Sequence, residues 1–211
     1  MDAESVVFVV DDDPSVLKAL TRLLSGEGFR TRPFASPAQF LRDHDPDVPG
    51  CIILDFAMPG FNGLELQKHL GGIAERQPII FVSGQSDIPI SVSAMKGGAA
   101  DFLTKPVDAA VLIPAVRSAL RRSAVARERH AESELLQARF SALTSRERSV
   151  FELVVKGRLN KQIAGDLGIA EKTVKVHRGH VMGKMRAQTV AELVQMAGRL
   201  DALKAAAGES I

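Results

Sequence analysis

Tryptophan and tyrosine are absent from this chain of 211 residues, and apart from histidine its aromatic side chains are ten phenylalanines. That excludes a ligand pocket built on buried phenols or indoles, the residues that combine an aromatic body with a polar handle. Cysteine occurs once, at Cys51, so no internal disulfide can form, which suits a reducing compartment. Cys51 lies inside the apolar run Cys51-Ile52-Ile53-Leu54 and reads as a packed, inert thiol. No apolar run approaches the roughly 18 residues of a membrane span. The opening MDAESVVFVV has two acids and no basic residue, unlike a secretory signal. The expectation is a cytoplasmic protein without a membrane partner.

The length suits two domains of about 100 residues better than one. Charge divides the chain in the same way. Residues 1–110 hold 9 Lys and Arg against 15 Asp and Glu, residues 111–140 hold 6 against 3, and residues 141–211 hold 12 against 7. An acidic front suggests a cation site, and a basic rear a polyanionic partner.

The front half carries five short apolar stretches, at Val6 to Val10, Phe29 to Phe34, Cys51 to Leu54, Ile79 to Val82 and Asp101 to Leu103. Segments of helical period separate them, such as Val16, Leu20, Leu23, Leu24 and Leu64, Leu66, Leu70. Alternation of this kind implies a doubly wound α/β domain with a parallel five-stranded sheet. Ligands of such sheets bind outside the carboxyl ends of the strands. Polar residues stand at those ends: Asp11 and Asp12 after the first strand, Asp55 after the third, Ser83 after the fourth and Lys105-Pro106 after the fifth. Three carboxylates on one rim repel each other unless a hard divalent cation shares them. Mg²⁺ is the expected cofactor, held by Asp12 and Asp55 directly, by Asp11 directly or through water, and by the carbonyl of Ala57. An aspartate in this setting can attack phosphorus and form an acyl phosphate. Lys105 would neutralise phosphoryl charge, and Ser83 would donate a hydrogen bond to it. Asp13-Pro14 reads as the cap and first residue of a helix.

From Val111 to about Arg139 the chain reads as one long helix, whose Leu120, Ala124, Ala131, Leu135 and Ala138 would suit weak coiled-coil pairing or a plain spacer. Beyond it every signal is helical. Thr144-Ser145-Arg146-Glu147 is a capping box, Gly157 stops that helix, and Asn160 can cap a second one ending at Gly168. Two further helices are expected over Glu171 to Met185 and Thr189 to Leu200. The pair joined by Gly168-Ile169-Ala170 is a helix-turn-helix signal. On the second of these helices Val174, His177, Val181 and Met185 share one face, while Lys172, Val176, Gly179 and Gly183 share the opposite one with Lys175 beside them. The basic face can enter a DNA major groove, lysine meeting guanine or phosphate and valine a thymine methyl. The expected DNA contacts are Lys172, Thr173, Lys175, Val176, Arg178 and Gly179, with Arg178 nearer the core side and better placed for a phosphate. His177 and His180 have no Cys or acid near them in sequence, so the reading favours packed or solvent-facing rings over a metal site. Ala170 stands where a Ser or Thr would cap the recognition helix.

The segments VVDDDP, LDFAMPG, VSG and DFLTKP, in this order, resemble the four signature segments of receiver domains over roughly the first 120 residues. The segment LTSRERSVFELVVKGRLNKQIAGDLGIAEKTVKVHRGHVMGKM resembles the LuxR-type helix-turn-helix. Together they are similar to FixJ-type two-component response regulators, close to the styrene-response kind. The resemblance implies a flavodoxin-like receiver at 1–121, a helical linker at 122–141 and an all-α four-helix DNA-binding domain at 142–211. It also implies phosphotransfer from a cognate histidine kinase to Asp55 and a switch pair, Ser83 and Phe102. The face around Val92, Lys96 and Phe102 would pair receivers, and Val190, Leu193, Val194 and Ala197 would pair DNA-binding domains, giving a homodimer on promoter DNA with RNA polymerase as a further partner. Phe56 follows the expected phosphoacceptor where many receivers have a smaller or a basic residue.

Two other classes compete. An aspartyl-phosphate phosphatase or transferase usually wants a second acid two residues after its nucleophile, where this chain has Ala57. An adaptor would keep the helix-turn-helix without binding DNA. The expectation is a transcription factor that is not an enzyme.

Overall fold

The structure, a computed structural model, describes residues 5–58, 61–84 and 88–206. Pro59 and Gly60 of the LDFAMPG segment therefore lie outside the described residues. The chain divides into two compact units, Met1–Glu128 and Arg129–Ile211.

In the first unit β1 (Val6–Val10), β2 (Arg30–Phe34), β3 (Gly50–Asp55), β4 (Ile79–Ser83) and β5 (Asp101–Thr104) form one sheet in the order β2-β1-β3-β4-β5. All neighbouring pairs are parallel. Helices α1 (Pro14–Gly26), α2 (Pro37–Asp43), α3 (Gly63–Leu70), α4 (Ile88–Lys96) and α5 (Ala109–Ser141) connect or follow the strands. Strand alternation sorts the core into two halves. Val7, Val9, Cys51, Ile53, Ile80 and Val82 pack with Leu20 and Leu24 of α1 and Leu112 and Val116 of α5. Phe8, Val10, Ile52, Leu54, Ile79 and Phe81 point the other way, to Phe40 of α2, Leu66 of α3 and Ala94 of α4. Because both faces are covered, β1 and β3 are apolar almost throughout rather than alternating. Cys51 is fully buried, and desolvation pushes its thiol up to about 12, so it is a core side chain.

Asp13 caps α1 as its sequence predicts: its carboxylate accepts from the backbone of Ser15 at 2.7 Å and of Val16 at 3.4 Å, with Pro14 opening the helix. Helix α5 runs for 33 residues, slightly longer at both ends than its expected span. Beyond Leu120 the stripe expected for pairing or a plain spacer lies open, Ala124, Ala131 and Ala138 all being exposed. Leu120 packs on the first unit, Leu136 is buried in the second, and Leu135 stays exposed.

The second unit holds α6 (Ser145–Val155), α7 (Asn160–Leu167), α8 (Glu171–Met185) and α9 (Val190–Ala206). Its core joins Val150, Phe151 and Val154 of α6 to Ile163 of α7, Val174, Val181 and Met185 of α8, and Leu193 and Leu200 of α9. The capping box is present in full: Glu147 N–H donates to the Thr144 hydroxyl at 3.3 Å, and Thr144 N–H donates to the Glu147 carboxylate at 2.9 Å. One expectation fails here. Asn160 does not cap α7; Leu159 occupies the cap position, with its N–H bonded to the Gln162 side chain at 2.9 Å, while Asn160 is the first helical residue. No helix among the described residues is long and apolar enough to cross a membrane.

Candidate functional site

Two neighbouring strands deliver the acidic rim. β1 ends in Asp11, β3 ends in Asp55, and Asp12 follows on the exposed side; one carboxylate oxygen from each lies within 4.8 Å of the others. Asp11 is 1% exposed and Asp55 5%, whereas Asp12 faces solvent. The loop after β5 brings Lys105, whose Nζ sits 2.7 Å from Asp11 Oδ2 and 3.3 Å from Asp55 Oδ1. The Lys105–Pro106 peptide bond is cis. Asp11 also accepts the Asp13 N–H at 2.9 Å, so both of its oxygens are engaged.

Electrostatics at this rim is a contest. Burial, reinforced by the charge of Asp11, raises the carboxyl of Asp55 above the ordinary aspartate value, and Lys105 only partly opposes that. Burial works to lower the Lys105 ammonium, but its hydrogen bond to Asp11 and the charges of Asp55 and Asp11 together raise it. A buried pair of carboxylates with a single lysine between them leaves negative charge uncompensated. Oxygen donors from three carboxylates, the outermost open to solvent, fit a hard divalent cation. Ala57 is exposed beside them, its N–H 3.5 Å from Asp55 Oδ1.

Ser83 ends β4, buried, in the strand that pairs with the end of β3 through Asp55 and Val82. Phe102 of β5 is half-buried. Its ring lies 6.2 Å from that of Phe81 and 6.3 Å from that of Phe56, and Phe56 and Phe81 are 6.0 Å apart, so the three rings form one group. Val92 and Met95 of α4 are exposed. A residue that pattern reading passed over is Gly63: a Cβ there would lie 2.9 Å from the Phe81 ring and 3.2 Å from the Asp55 carbonyl. Its only sequence signal is a lone glycine at a helix start.

In the second unit, Gly168 takes the left-handed conformation, φ 64°, that ends α7 and turns the chain into α8. Ala170 is the cap residue of α8 and provides no side-chain bond. Lys172, Thr173, Lys175, Val176 and Gly179 are exposed, Val176 by 51%, and nothing lies within 4 Å of a Cβ built on Gly179. Arg178 is half-buried and donates to Asn160 Oδ1 at 3.0 Å, which ties α8 to α7. On α9, Leu193 belongs to the core of its own unit, Val190 and Ala197 are half-buried, and Val194 is 45% exposed.

The sequence offered His177 and His180 no acid partner, and the fold corrects this. Glu147 of α6, nearly buried, has its carboxylate 3.4 Å from His180 Nδ1 and 2.6 Å from Lys184 Nζ. The hydrogen bond from Lys184, with that from the Thr144 backbone, holds Glu147 down at about 2.

Comparison with known proteins agrees with this geometry. Residues 7–117 match the response regulator receiver domain, and residues 141–197 match the bacterial regulatory proteins of the luxR family. The chain belongs to the two-component response regulators that join a receiver to a LuxR-type DNA-binding domain. It is 44% identical over 204 residues to the response regulator protein TmoT of Ectopseudomonas mendocina, covering 96% of this chain and 93% of that protein. It is 46% identical over 192 residues to the transcriptional regulatory protein FixJ of Azorhizobium caulinodans, covering 90% of each. Among solved structures, the response regulator StyR aligns with a TM-score of 0.82 at 43% identity, over 93% of this chain and 99% of that one.

Proposed function

We propose that Asp55 accepts a phosphoryl group from a cognate histidine kinase and that the modified chain dimerises and binds promoter DNA to regulate transcription. The observation that carries this reading is the setting of Asp55, almost buried at the end of β3 with Asp11 and Lys105 against it. Its carboxylate oxygen attacks phosphorus while the bond to the donor imidazole breaks, leaving an acyl phosphate on Asp55 and a free histidine on the kinase. Lys105 favours the ionised, nucleophilic form of Asp55 and then donates to a phosphoryl oxygen; the Ser83 hydroxyl donates to another. Asp11, Asp12, Asp55 and the Ala57 carbonyl would hold Mg²⁺, which when bound neutralises charge on carboxylate and phosphoryl oxygens. Movement of Ser83 toward the new group would draw Phe102 inward, so that the two form the switch and alter the face around Val92 and Lys96, where receivers would pair.

The domain limits we propose are 1–121 for the receiver, 122–141 for the linker and 142–211 for the DNA-binding domain. Lys172, Thr173, Lys175, Val176 and Gly179 would face the major groove and Arg178 a phosphate. The exposed Val194, flanked by Val190 and Ala197 and supported from beneath by Leu193, would pair two such domains. The chain acts as a switch in the cytoplasm rather than a turnover enzyme, with RNA polymerase recruited at the promoter.

A small-molecule phosphodonor tests the core of this reading. The full chain should take up one phosphate per molecule and bind its selected DNA more tightly; Asp55→Asn should do neither. Equal DNA affinity for both proteins, with and without donor, would refute the switch.

A further inference from the structure

A second cluster of metal-ligating side chains lies on the helix-turn-helix unit. Glu147 on α6 and His177 and His180 on α8 each offer one ligand atom, and these atoms lie within 4.8 Å of one another. The two histidines are one turn apart and so share a face of α8; their rings are 6.4 Å apart at 84°. Glu147 is fixed in place, because both the Thr144 N–H and Lys184 Nζ bond its Oε2, at 2.9 and 2.6 Å. That leaves Oε1 turned toward His180, 3.4 Å from Nδ1. The Nδ1 atom of His177 is buried and has no hydrogen-bond partner among the described residues, a desolvated lone pair or N–H left unsatisfied.

Donor chemistry distinguishes this cluster from the receiver rim. The rim is all oxygen and suits Mg²⁺. Two imidazoles and one carboxylate form a mixed nitrogen and oxygen set, which suits Zn²⁺ with three protein ligands and one position open to solvent. The positive charge of Lys184 opposes a cation nearby, but it is engaged with the other oxygen of the carboxylate. We propose that Glu147, His177 and His180 form a Zn²⁺ site that ties the first turn of α6 to the middle of α8. His177 and His180 lie on the side of α8 toward Lys184, with His180 one turn after Val176 at the edge of the exposed face, so the ion would stiffen the helix-turn-helix beside that face.

The test is titration of the full, chelator-stripped chain with Zn²⁺ in a large excess of Mg²⁺. One Zn²⁺ per chain should bind, and Co²⁺ in its place should give a visible ligand-field band. The His180 side chain is 59% exposed, so His180→Ala should leave the fold intact by circular dichroism while weakening Zn²⁺ more than about tenfold and abolishing the band. His177→Gln should lose Zn²⁺ likewise. The proposal is overturned if the wild-type chain takes up no Zn²⁺ under these conditions or if uptake survives His180→Ala. Uptake that instead disappears with Asp55→Asn would overturn it too, by placing the ion at the receiver rim.

Discussion

His44 stacks on Phe40 with ring centroids 4.3 Å apart and meets Phe8 edge-on at 5.0 Å, while its Nε2 lies 2.5 Å from Gln77 Oε1. Burial lowers its pKa below the ordinary histidine value of 6.5, and the bond to Gln77 only partly offsets this. The folded state therefore favours the neutral ring. Its contribution to stability is complete above 6.5 and is lost as pH falls through the lower folded value. Denaturant midpoints of the wild type should drop between about pH 7.5 and about pH 5 more steeply than those of His44→Gln. Identical pH slopes for the two proteins would contradict this account. At the same scale, the rim residues Asp11, Asp12, Asp55, Ser83 and Lys105 were legible because each follows an apolar stretch that reads as a strand. Gly50 was not, although a Cβ there would lie 2.1 Å from the Val6 carbonyl. Close approach between strands far apart in the chain leaves no local pattern. For the same reason the approach of Glu147 to His180 was invisible in spacing alone.

Among the elements, α8 begins on Ala170, whose side chain satisfies none of the free N–H groups of the first turn. Ala170→Ser should stabilise the DNA-binding unit by about 0.5–1 kcal/mol, read as a rise in its unfolding midpoint. A decrease would mean that the cap geometry cannot admit the hydroxyl. Helix spans in this unit were legible from their stops, Gly157 and Gly168, both at positive φ. Finer assignments were not. Asn160, a strong capping residue by type, lies one position too late and bonds Arg178 instead.

Over the whole molecule, charge is unevenly spread, 15 acids against 9 bases in residues 1–110 and 12 bases against 7 acids in residues 141–211. DNA affinity should therefore fall steeply with salt, as cations compete for phosphates. Lys175→Ala should weaken binding across sequences and flatten the slope of log affinity against log salt by about one if the lysine meets a phosphate. A slope unchanged with affinity lost for particular sequences only would assign Lys175 to a base edge instead.

The engagement of Lys105 by Asp11 and Asp55 has a bearing on how such a molecule stays quiet. An ammonium already satisfied by two anions is not a cocked spring, and an arriving phosphoryl group has to win it away from existing company. On the proposed reading, part of the free energy of phosphorylation would go into loosening that contact before anything else in the receiver moves.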